Sequence, residues 1–314
     1  MDNVASAMLS GDFLATAVRL ATPLIFAAMG GLFAERAGVL NLALEGMMSM
    51  GAFFGFIAAI LSGGNIWLGV GVAVVAGGLL ALGHAFLSIT LRADQIVSAL
   101  GLNILAAGLT GYVFRLIYAT GGKSPTLQPA APMPIPALDR IPLLGQVLFD
   151  QTLLVYVGFL LLPISAWFIY RTSWGLSLRA VGDYPRSADT LGVSVKRMRY
   201  VAVLISGALA GLGGGFLTLV AVSYYQDGLT AGRGFIAFGA IVFGKWTPLG
   251  TFVACLLFGA ADATQVRLQA SGLTIPYQFM VMLPYVVTLL ALLGLVGRAT
   301  APLASGVPYV TEER

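Results

Sequence analysis

The stretch RTSWGLSLRAVGDYPRSADTLGVSVKRMRY, residues 171–200, separates two long apolar runs, residues 152–170 and 201–222. It holds a cluster of lysine and arginine residues: Arg171, Arg179, Arg186, Lys196, Arg197 and Arg199. Short loops of polytopic membrane proteins that carry an excess of basic residues stay in the cytoplasm. The stretch therefore predicts a cytoplasmic loop at about 171–200 between two membrane-crossing helices, and it orients the rest of the chain.

Apolar segments of similar length recur on both sides of this loop. A helix needs roughly 20 apolar residues to cross a hydrocarbon core about 30 Å thick. Two segments, 234–244 and 249–263, are shorter, and such a broken pair is typical of helices that stop at membrane depth. We predict an all-α polytopic membrane protein with about 8–10 transmembrane helices, including this short or broken pair. The segments that are long enough are residues 13–33, 39–61, 66–91, 96–119, 152–170, 201–222 and 275–296.

The composition fits one transmembrane domain over residues 1–314. Hydrophobic residues make up 58% of the chain and charged residues only 10%, far from the values of a soluble domain. The net charge of +4 then reflects the cytoplasmic loops and gives no reason to expect a nucleic-acid partner. A second loop, about 120–150, holds six prolines, which predicts an extended external segment.

The segment GAIVFGKW, residues 239–246, nearly matches a phosphate-binding loop. That loop needs Ser or Thr after the lysine to ligate Mg²⁺, and a strand before it, whereas here Trp246 follows Lys245 inside an apolar segment. We therefore expect no nucleotide site in this chain. If transport is driven by ATP, the ATPase must be another subunit.

The centre of the cytoplasmic stretch, LRAVGDYPRSADTLGVSV, predicts a short helix from about Pro185 to Leu191, with Gly192 as its C-cap. It is either a solvated connection or a coupling helix that docks on a partner ATPase. In the second case, four charges would orient the helix in the partner's cleft: Arg179, Asp183, Arg186 and Asp189.

Polar residues inside apolar spans are costly and therefore point to function or to helix packing. Asn41 and Glu45 are four residues apart, which predicts one shared helix face near the inner mouth of the protein. There they would form either a gate or packing contacts in which Glu45 caps a neighbouring helix. Asn103 and Thr110 lie deeper, and either line a polar pathway for a substrate rich in hydroxyl groups or bond between helices.

The remaining features favour packing over catalysis. His84 has no acid or thiol near it in sequence, and Cys255 is the only cysteine, so we expect no metal site and no cofactor. Glycines spaced by four, at 207, 211 and 215 and at 51 and 55, predict close contact between helix backbones. No catalytic triad or paired catalytic carboxylates are apparent, which argues against an enzyme.

At several of these segments the chain resembles the permease subunits of bacterial ABC importers in the branched-chain amino acid, ribose and nucleoside group. The stretch AERAGVLNLALEGMMSMGA resembles the family's second-span motif, and LRAVGDYPRSADTLGVSV resembles its cytoplasmic coupling segment. SGALAGLGGG and FIAFGAIVFGKWTPLGTFVACLLFGAADA are also similar to the family. The resemblance implies a type II-like ABC importer permease fold in the bacterial inner membrane. It places on the coupling segment Arg179, Gly182, Asp183, Pro185 and Ala188.

The form of the second-span motif, with Asn41 and Glu45, resembles the simple-sugar and nucleoside branch of that family. That branch implies three kinds of partner: a second, non-identical permease, a separate ABC ATPase, and an external lipoprotein that binds the substrate. The expected function is import of nucleosides or related simple sugars. A branched-chain amino acid or ribose-type permease, a secondary transporter and a purely structural membrane subunit are the alternatives.

Overall fold

The computed structural model describes residues 11–118, 124–136, 141, 145–270, 282, 286 and 300–310. Within these residues the regular structure is helical, and we number the α-helices in chain order. They are α1 (Gly11–Arg36), α2 (Leu44–Leu61), α3 (Ile66–Ala85), α4 (Gln95–Tyr118), α5 (Leu153–Arg171), α6 (Ser173–Asp183), α7 (Pro185–Thr190), α8 (Val195–Phe216), α9 (Arg233–Phe243) and α10 (Pro248–Ala270).

Seven helices among the described residues are long and apolar enough to cross a membrane, which confirms a polytopic membrane protein. Helices α3 and α8 are each extended by a π-helical turn, Phe86–Thr90 and Leu217–Ala221. Apart from residues 282 and 286, the predicted segment 275–296 lies outside the described residues. Helix α9 is short, as predicted, with 11 residues.

The prediction of a second short segment at 249–263 was wrong, because α10 has 23 residues and is long and apolar enough to cross a membrane. Its apolar run fades near Asp262, but the helix continues. The guanidinium of Arg267 stacks on the Phe13 ring of α1 at 5.9 Å, and the Asp262 carboxylate lies 3.9 Å from Arg233. Polar residues at the end of this span therefore have partners on other helices, which support about two further turns.

Helix α8 lies at the centre of the bundle, and glycines bring its backbone against α2 and α3. A Cβ on Gly51 would overlap the backbone of Gly211, and a Cβ on Gly77 would overlap the carbonyl of Gly207. Likewise, a Cβ on Gly214 would overlap the carbonyl oxygen of Met48. The predicted close packing is confirmed, since only residues without a side chain allow backbones to approach so closely.

Two crossings contain breaks in the helix. Residues 37–43 join α1 to α2 without helical structure, and residues 222–232 join the π-helical turn after α8 to α9. Asn41, in the first break, donates from Nδ2 to Ser206 Oγ of α8 at 2.7 Å. Ser206 is eleven residues into α8, roughly 16 Å along its axis at 1.5 Å per residue. The first break therefore reaches well into the bundle.

This break corrects the prediction that Asn41 and Glu45 share a helix face. Helix α2 begins only at Leu44, so Asn41 precedes it and Glu45 lies in its first turn. The chain turns at Gly38, which has a φ of 80°, and the Asn41 N–H donates to the Glu35 carboxylate at 3.1 Å. In a continuous α-helix, the Asn41 N–H would bond to the backbone carbonyl four residues earlier. Here the Glu35 side chain accepts it instead.

The described part of the external proline-rich loop is extended, as predicted. Residues 124–135 form no helix, and their backbone pairs with the segment before α5, where Met133 N–H donates to Gln151 at 2.9 Å. Leu127 N–H donates to the Ser223 carbonyl at 2.8 Å. The loop therefore fastens the outer ends of α5 and of the second break.

Candidate functional site

Helices α2 and α9 begin beside each other inside the bundle, and Glu45 joins them. One carboxylate oxygen of Glu45 accepts hydrogen bonds from the Thr230 hydroxyl at 2.6 Å and from Gly232 N–H at 2.9 Å. The other accepts Gly234 N–H at 2.7 Å. The first turn of a helix has free N–H groups and a partial positive charge, which a carboxylate stabilises. Glu45 therefore caps α9, as one of the two predicted roles requires.

The start of α2 is completed by two asparagines. Asn103 of α4 accepts Gly46 N–H at 2.8 Å and donates to the Leu42 carbonyl at 2.9 Å, so its amide bonds to the backbone on both sides of the turn. Asn41 accepts Ala43 N–H through its side chain at 3.2 Å. These bonds satisfy backbone groups that would otherwise lie unpaired among apolar helices.

A cavity of about 190 Å³ lies where α2, α4 and the second break meet. Small and polar residues line it, and no aromatic ring does. Ser49 and Thr110 face each other across it with their hydroxyl oxygens 3.4 Å apart. The lining residues are Glu45, Gly46, Ser49, Asn103, Ala107, Thr110, Asp227, Gly228, Thr230 and Ala231.

The outer part of the second break is held by Tyr225. Its ring packs 5.0 Å from that of Phe53 and 5.3 Å from that of Phe114, and its backbone pairs twice with the Ser124 hydroxyl. The segment beside the cavity is thus fixed at Tyr225 and again at Thr230.

The C-terminal end of α9 is held by a second glutamate. Trp246 Nε1 donates to the fully buried Glu35 carboxylate at 3.2 Å, and Arg36 Nε donates to the Trp246 carbonyl at 2.7 Å. Lys245 and Trp246 have positive φ angles of 53° and 52°, so the chain turns sharply there before α10. In the segment that resembled a phosphate-binding loop, Trp246 therefore bonds to a carboxylate of the same chain.

Helices α6 and α7 lie across the C-terminal ends of α1 and α5. The predicted short helix is confirmed as α7, with Pro185 in its first turn and Gly192 just after it at a φ of 86°. Helix α6 was missed by the sequence analysis. Gly182 on α6 packs so tightly on the carbonyl of Arg36 that a Cβ there would overlap it.

The C-terminal segment 300–310 crosses this pair of helices. Ala304 N–H donates to the Gly182 carbonyl at 2.9 Å, and the Tyr309 hydroxyl donates to the Asp189 carboxylate at 2.9 Å. The buried Arg199 of α8 donates to the carbonyls of Ala37 and Val307 at 3.2 and 3.0 Å. Helices α6 and α7 are therefore tied to α1, to α8 and to the C-terminal segment.

A family model described as "branched-chain amino acid transport system / permease component" matches residues 13–299 of the chain. The chain belongs to this permease family. It is a multi-pass protein of the plasma membrane, and the family consists of transport subunits.

The permease is also similar to curated relatives over most of its length. It is 41% identical to the guanosine ABC transporter permease protein NupQ of Bacillus subtilis, over 94% of this chain and 95% of that protein. It is 37% identical to the nucleoside ABC transporter permease protein NupC of Lactococcus lactis, over 92% and 93%. It is 40% identical to the putative glucose ABC transporter permease protein TsgC13 of Haloferax volcanii, over 85% and 80%.

Among solved structures, the permease matches one titled "An inward-facing conformation of a putative metal-chelate type ABC transporter". The sequence identity is 16%, and the TM-score is 0.49 over 90% of this chain and 84% of that one.

The permease brings three of the four predicted pathway residues to one cavity. Glu45, Asn103 and Thr110 line it, whereas Asn41 lies behind the start of α2 and bonds to Ser206. Sequence analysis missed Asp227 and Thr230, which line the same cavity from the second break. The residues around Thr230, QDGLTAGRG at 226–234, carry no signal that the chain returns to Glu45, 185 residues earlier.

The predicted coupling residues all lie on α6 and α7, but several of them bond within the permease. Arg179 stacks over Tyr170 at 5.3 Å, Asp189 accepts from Tyr309, and Ala188 is buried against Val181. Three large apolar side chains of this face are exposed instead: Leu176, Tyr184 and Leu191. The other predicted coupling residues are Gly182, Asp183, Pro185 and Arg186.

His84 is a packing residue, as expected. Its ring nitrogens lie 3.2 Å from Ser98 Oγ and 3.0 Å from the Leu40 carbonyl, and its side chain is buried. It fastens α3 to α4 and to the first break.

Proposed function

We propose that this permease is the transmembrane subunit of an ATP-driven ABC importer for nucleosides. The observation that carries the proposal is the polar cavity between α2, α4 and the second break, inside the membrane-spanning part of a chain of the permease family. Ser49, Asn103 and Thr110 offer hydroxyl and amide groups there, which suit a substrate rich in hydroxyl groups. The names of the two nucleoside permeases among its relatives support this substrate class.

The importer needs three partners. An external lipoprotein delivers the substrate, a second and non-identical permease completes the pathway, and a separate ABC ATPase supplies the energy. The permease itself catalyses no reaction. Its own groups pair with the substrate in transit, so that a polar molecule is not left without hydrogen bonds inside the membrane.

Helices α6 and α7 form the surface on which the ATPase docks. The exposed apolar side chains Leu176, Tyr184 and Leu191 supply contact area, and Arg179 and Arg186 orient the partner through charge. Two contacts transmit movement of α6 and α7 toward the cavity. Gly182 touches the end of α1, and Arg199 of α8 bonds to Ala37 at the start of the first break.

Uptake of radiolabelled nucleosides, sugars and branched-chain amino acids into cells tests the proposal. We expect nucleoside uptake to disappear when this gene is deleted, and also when the partner ATPase is inactivated. A selective loss of sugar or amino acid uptake would assign another substrate within the same family. Uptake that persists without the ATPase would indicate a secondary transporter.

The docking surface has a separate test. We expect the double variant Arg179→Glu, Arg186→Glu to insert normally but to lose ATPase binding and most uptake, because its charges now repel the partner's acidic groups. Lys196→Glu with Arg197→Glu, on the first turn of α8, is the matched control for charge reversal. Unchanged co-purification of the ATPase with the double variant would contradict the assignment.

A further inference from the structure

Two carboxylates line the central cavity, and they differ in what they already bind. Glu45 accepts three hydrogen bonds from Thr230, Gly232 and Gly234. Asp227 is exposed and accepts no hydrogen bond from any residue that the structure describes. Glu45 is therefore committed to holding α9, whereas both oxygens of Asp227 are available to a molecule in the cavity.

The position of Asp227 is fixed on both sides. Two residues earlier, Tyr225 is buried among Phe53, Phe56 and Phe114. Three residues later, Thr230 bonds to Glu45. A side chain carried between two such anchors loses little freedom when it binds, which favours selective binding.

Gly111 of α4 makes room for this carboxylate. A Cβ on Gly111 would stand 3.0 and 3.1 Å from the two carboxylate oxygens of Asp227, closer than ordinary contact. The oxygens therefore lie against the α4 backbone, one residue after Thr110, which lines the cavity. Alanine in place of Gly111 would push the carboxylate away from this position.

The chemistry of the lining suits a sugar better than a base. A carboxylate has two oxygens in one plane and accepts hydrogen bonds from two neighbouring hydroxyl groups at once. Ser49, Asn103 and Thr110 add further polar partners. A nucleobase would instead call for an aromatic face to stack on, and none of the residues that line this cavity is aromatic.

We propose that Asp227 accepts hydrogen bonds from the two adjacent hydroxyl groups of the ribose of a nucleoside in transit, so that this chain recognises the sugar and not the base. This inference rests on the proposed function. It assigns base selection to other parts of the importer, and it predicts similar passage for purine and pyrimidine ribonucleosides.

The test compares uptake of labelled guanosine with uptake of labelled 2′,3′-dideoxyguanosine by cells that express the whole importer. We expect the wild type to prefer guanosine. Asp227→Asn should lower guanosine uptake about tenfold, the effect of losing a charge-assisted hydrogen bond, and change dideoxyguanosine uptake less than twofold. The external binding protein is the same in both strains, so its own preference cancels in the comparison.

Asp150→Asn is the matched control, since Asp150 lies outside the cavity, and it should leave both rates unchanged. If immunoblotting shows that Asp227→Asn is not inserted, Asp227→Ser should give the same loss of preference. An equal loss of guanosine and dideoxyguanosine uptake, or an unchanged preference for guanosine in an inserted variant, would contradict the role proposed for Asp227. A wild type without ATPase-dependent guanosine uptake would instead refute the proposed function.

Discussion

The two ends of α9 are held by two glutamates that lie ten residues apart in sequence but in different surroundings. Glu35, at the C-terminal end, is fully buried and accepts N–H groups from Asn41 and Trp246. Glu45, at the other end, is half-buried, accepts three hydrogen bonds and borders a polar cavity. Both carboxylates secure the same short helix.

The two glutamates show how a fully buried charge, Glu35, differs from a charge that borders a polar cavity, Glu45. Burial of a carboxylate without a cation is unfavourable, so Glu35 contributes mainly through the geometry of its two hydrogen bonds. Glu45 faces the first turn of α9, where its carboxylate lies beside the partial positive end of the helix and accepts three hydrogen bonds. Removal of the charge should therefore change the stability of the protein little at Glu35 and strongly at Glu45.

The largest expected effect comes from Gly234, at the start of α9. A Cβ at this position would overlap the backbone of Glu45, so Gly234→Ala should separate α9 from α2 and cost about 3 kcal/mol. We expect almost no folded protein in a detergent size-exclusion assay.

Gly239→Ala, in the same helix, is the control. A Cβ there would meet only Phe243, at 4.0 Å, so this variant should fold normally. Similar behaviour of the two variants would show that close contact at Glu45 is not what holds α9.

The next effect compares the glutamates directly. Glu45→Gln keeps one acceptor oxygen but presents an N–H₂ group to a donor, and should destabilise the protein by about 2 kcal/mol. Glu35→Gln also turns an N–H₂ group toward one of its two donors, Asn41 or Trp246, but it removes a buried charge at the same time. The two effects offset each other, so stability should change by less than about 1 kcal/mol. Melting temperatures of the purified variants measure both. A larger loss of stability in Glu35→Gln than in Glu45→Gln would contradict this interpretation of the two ends of α9.

The smallest effect concerns two hydroxyl groups near opposite ends of α9. Thr230→Val removes the 2.6 Å hydrogen bond to Glu45 and should cost about 1 kcal/mol and lower uptake, because Thr230 also lines the cavity. Thr251→Val should be neutral or slightly stabilising, since the buried Thr251 hydroxyl has no partner among the described residues. Equal destabilisation by both variants would show that the Glu45 bond adds nothing.

Local signals in the sequence identified much of the fold. The apolar runs predicted the spans, Pro185 and Gly192 predicted α7, and the glycine spacing predicted the contacts of α8. Each of these signals depends on residues within one or two helical turns, so a single sequence contains all of the information.

The breaks in the helices could not be found in this way. The run 39–61 is apolar except for Asn41, Glu45 and Ser49, and nothing in it marks Leu44 as the start of α2. That start is supported by Glu35 and Asn103, which bond to the backbone at residues 41 and 46. Glu35 itself stands beside Arg36 at the end of a span, where charges are ordinary. Asp227 lies between two apolar segments and has the appearance of a simple loop residue. Its place beside Thr110 depends on tertiary contacts.

The glycine contacts of α8 also determine which parts of the chain can move. The backbones of α2, α3 and α8 touch at Gly51, Gly77 and Gly214, so none of these helices can slide along another without collision. They form one rigid block that carries Ser206 and Glu45 together. The block includes α2, which supplies Glu45, Gly46 and Ser49 to the cavity, so any change in the width of the cavity has to come from α4 or from the second break.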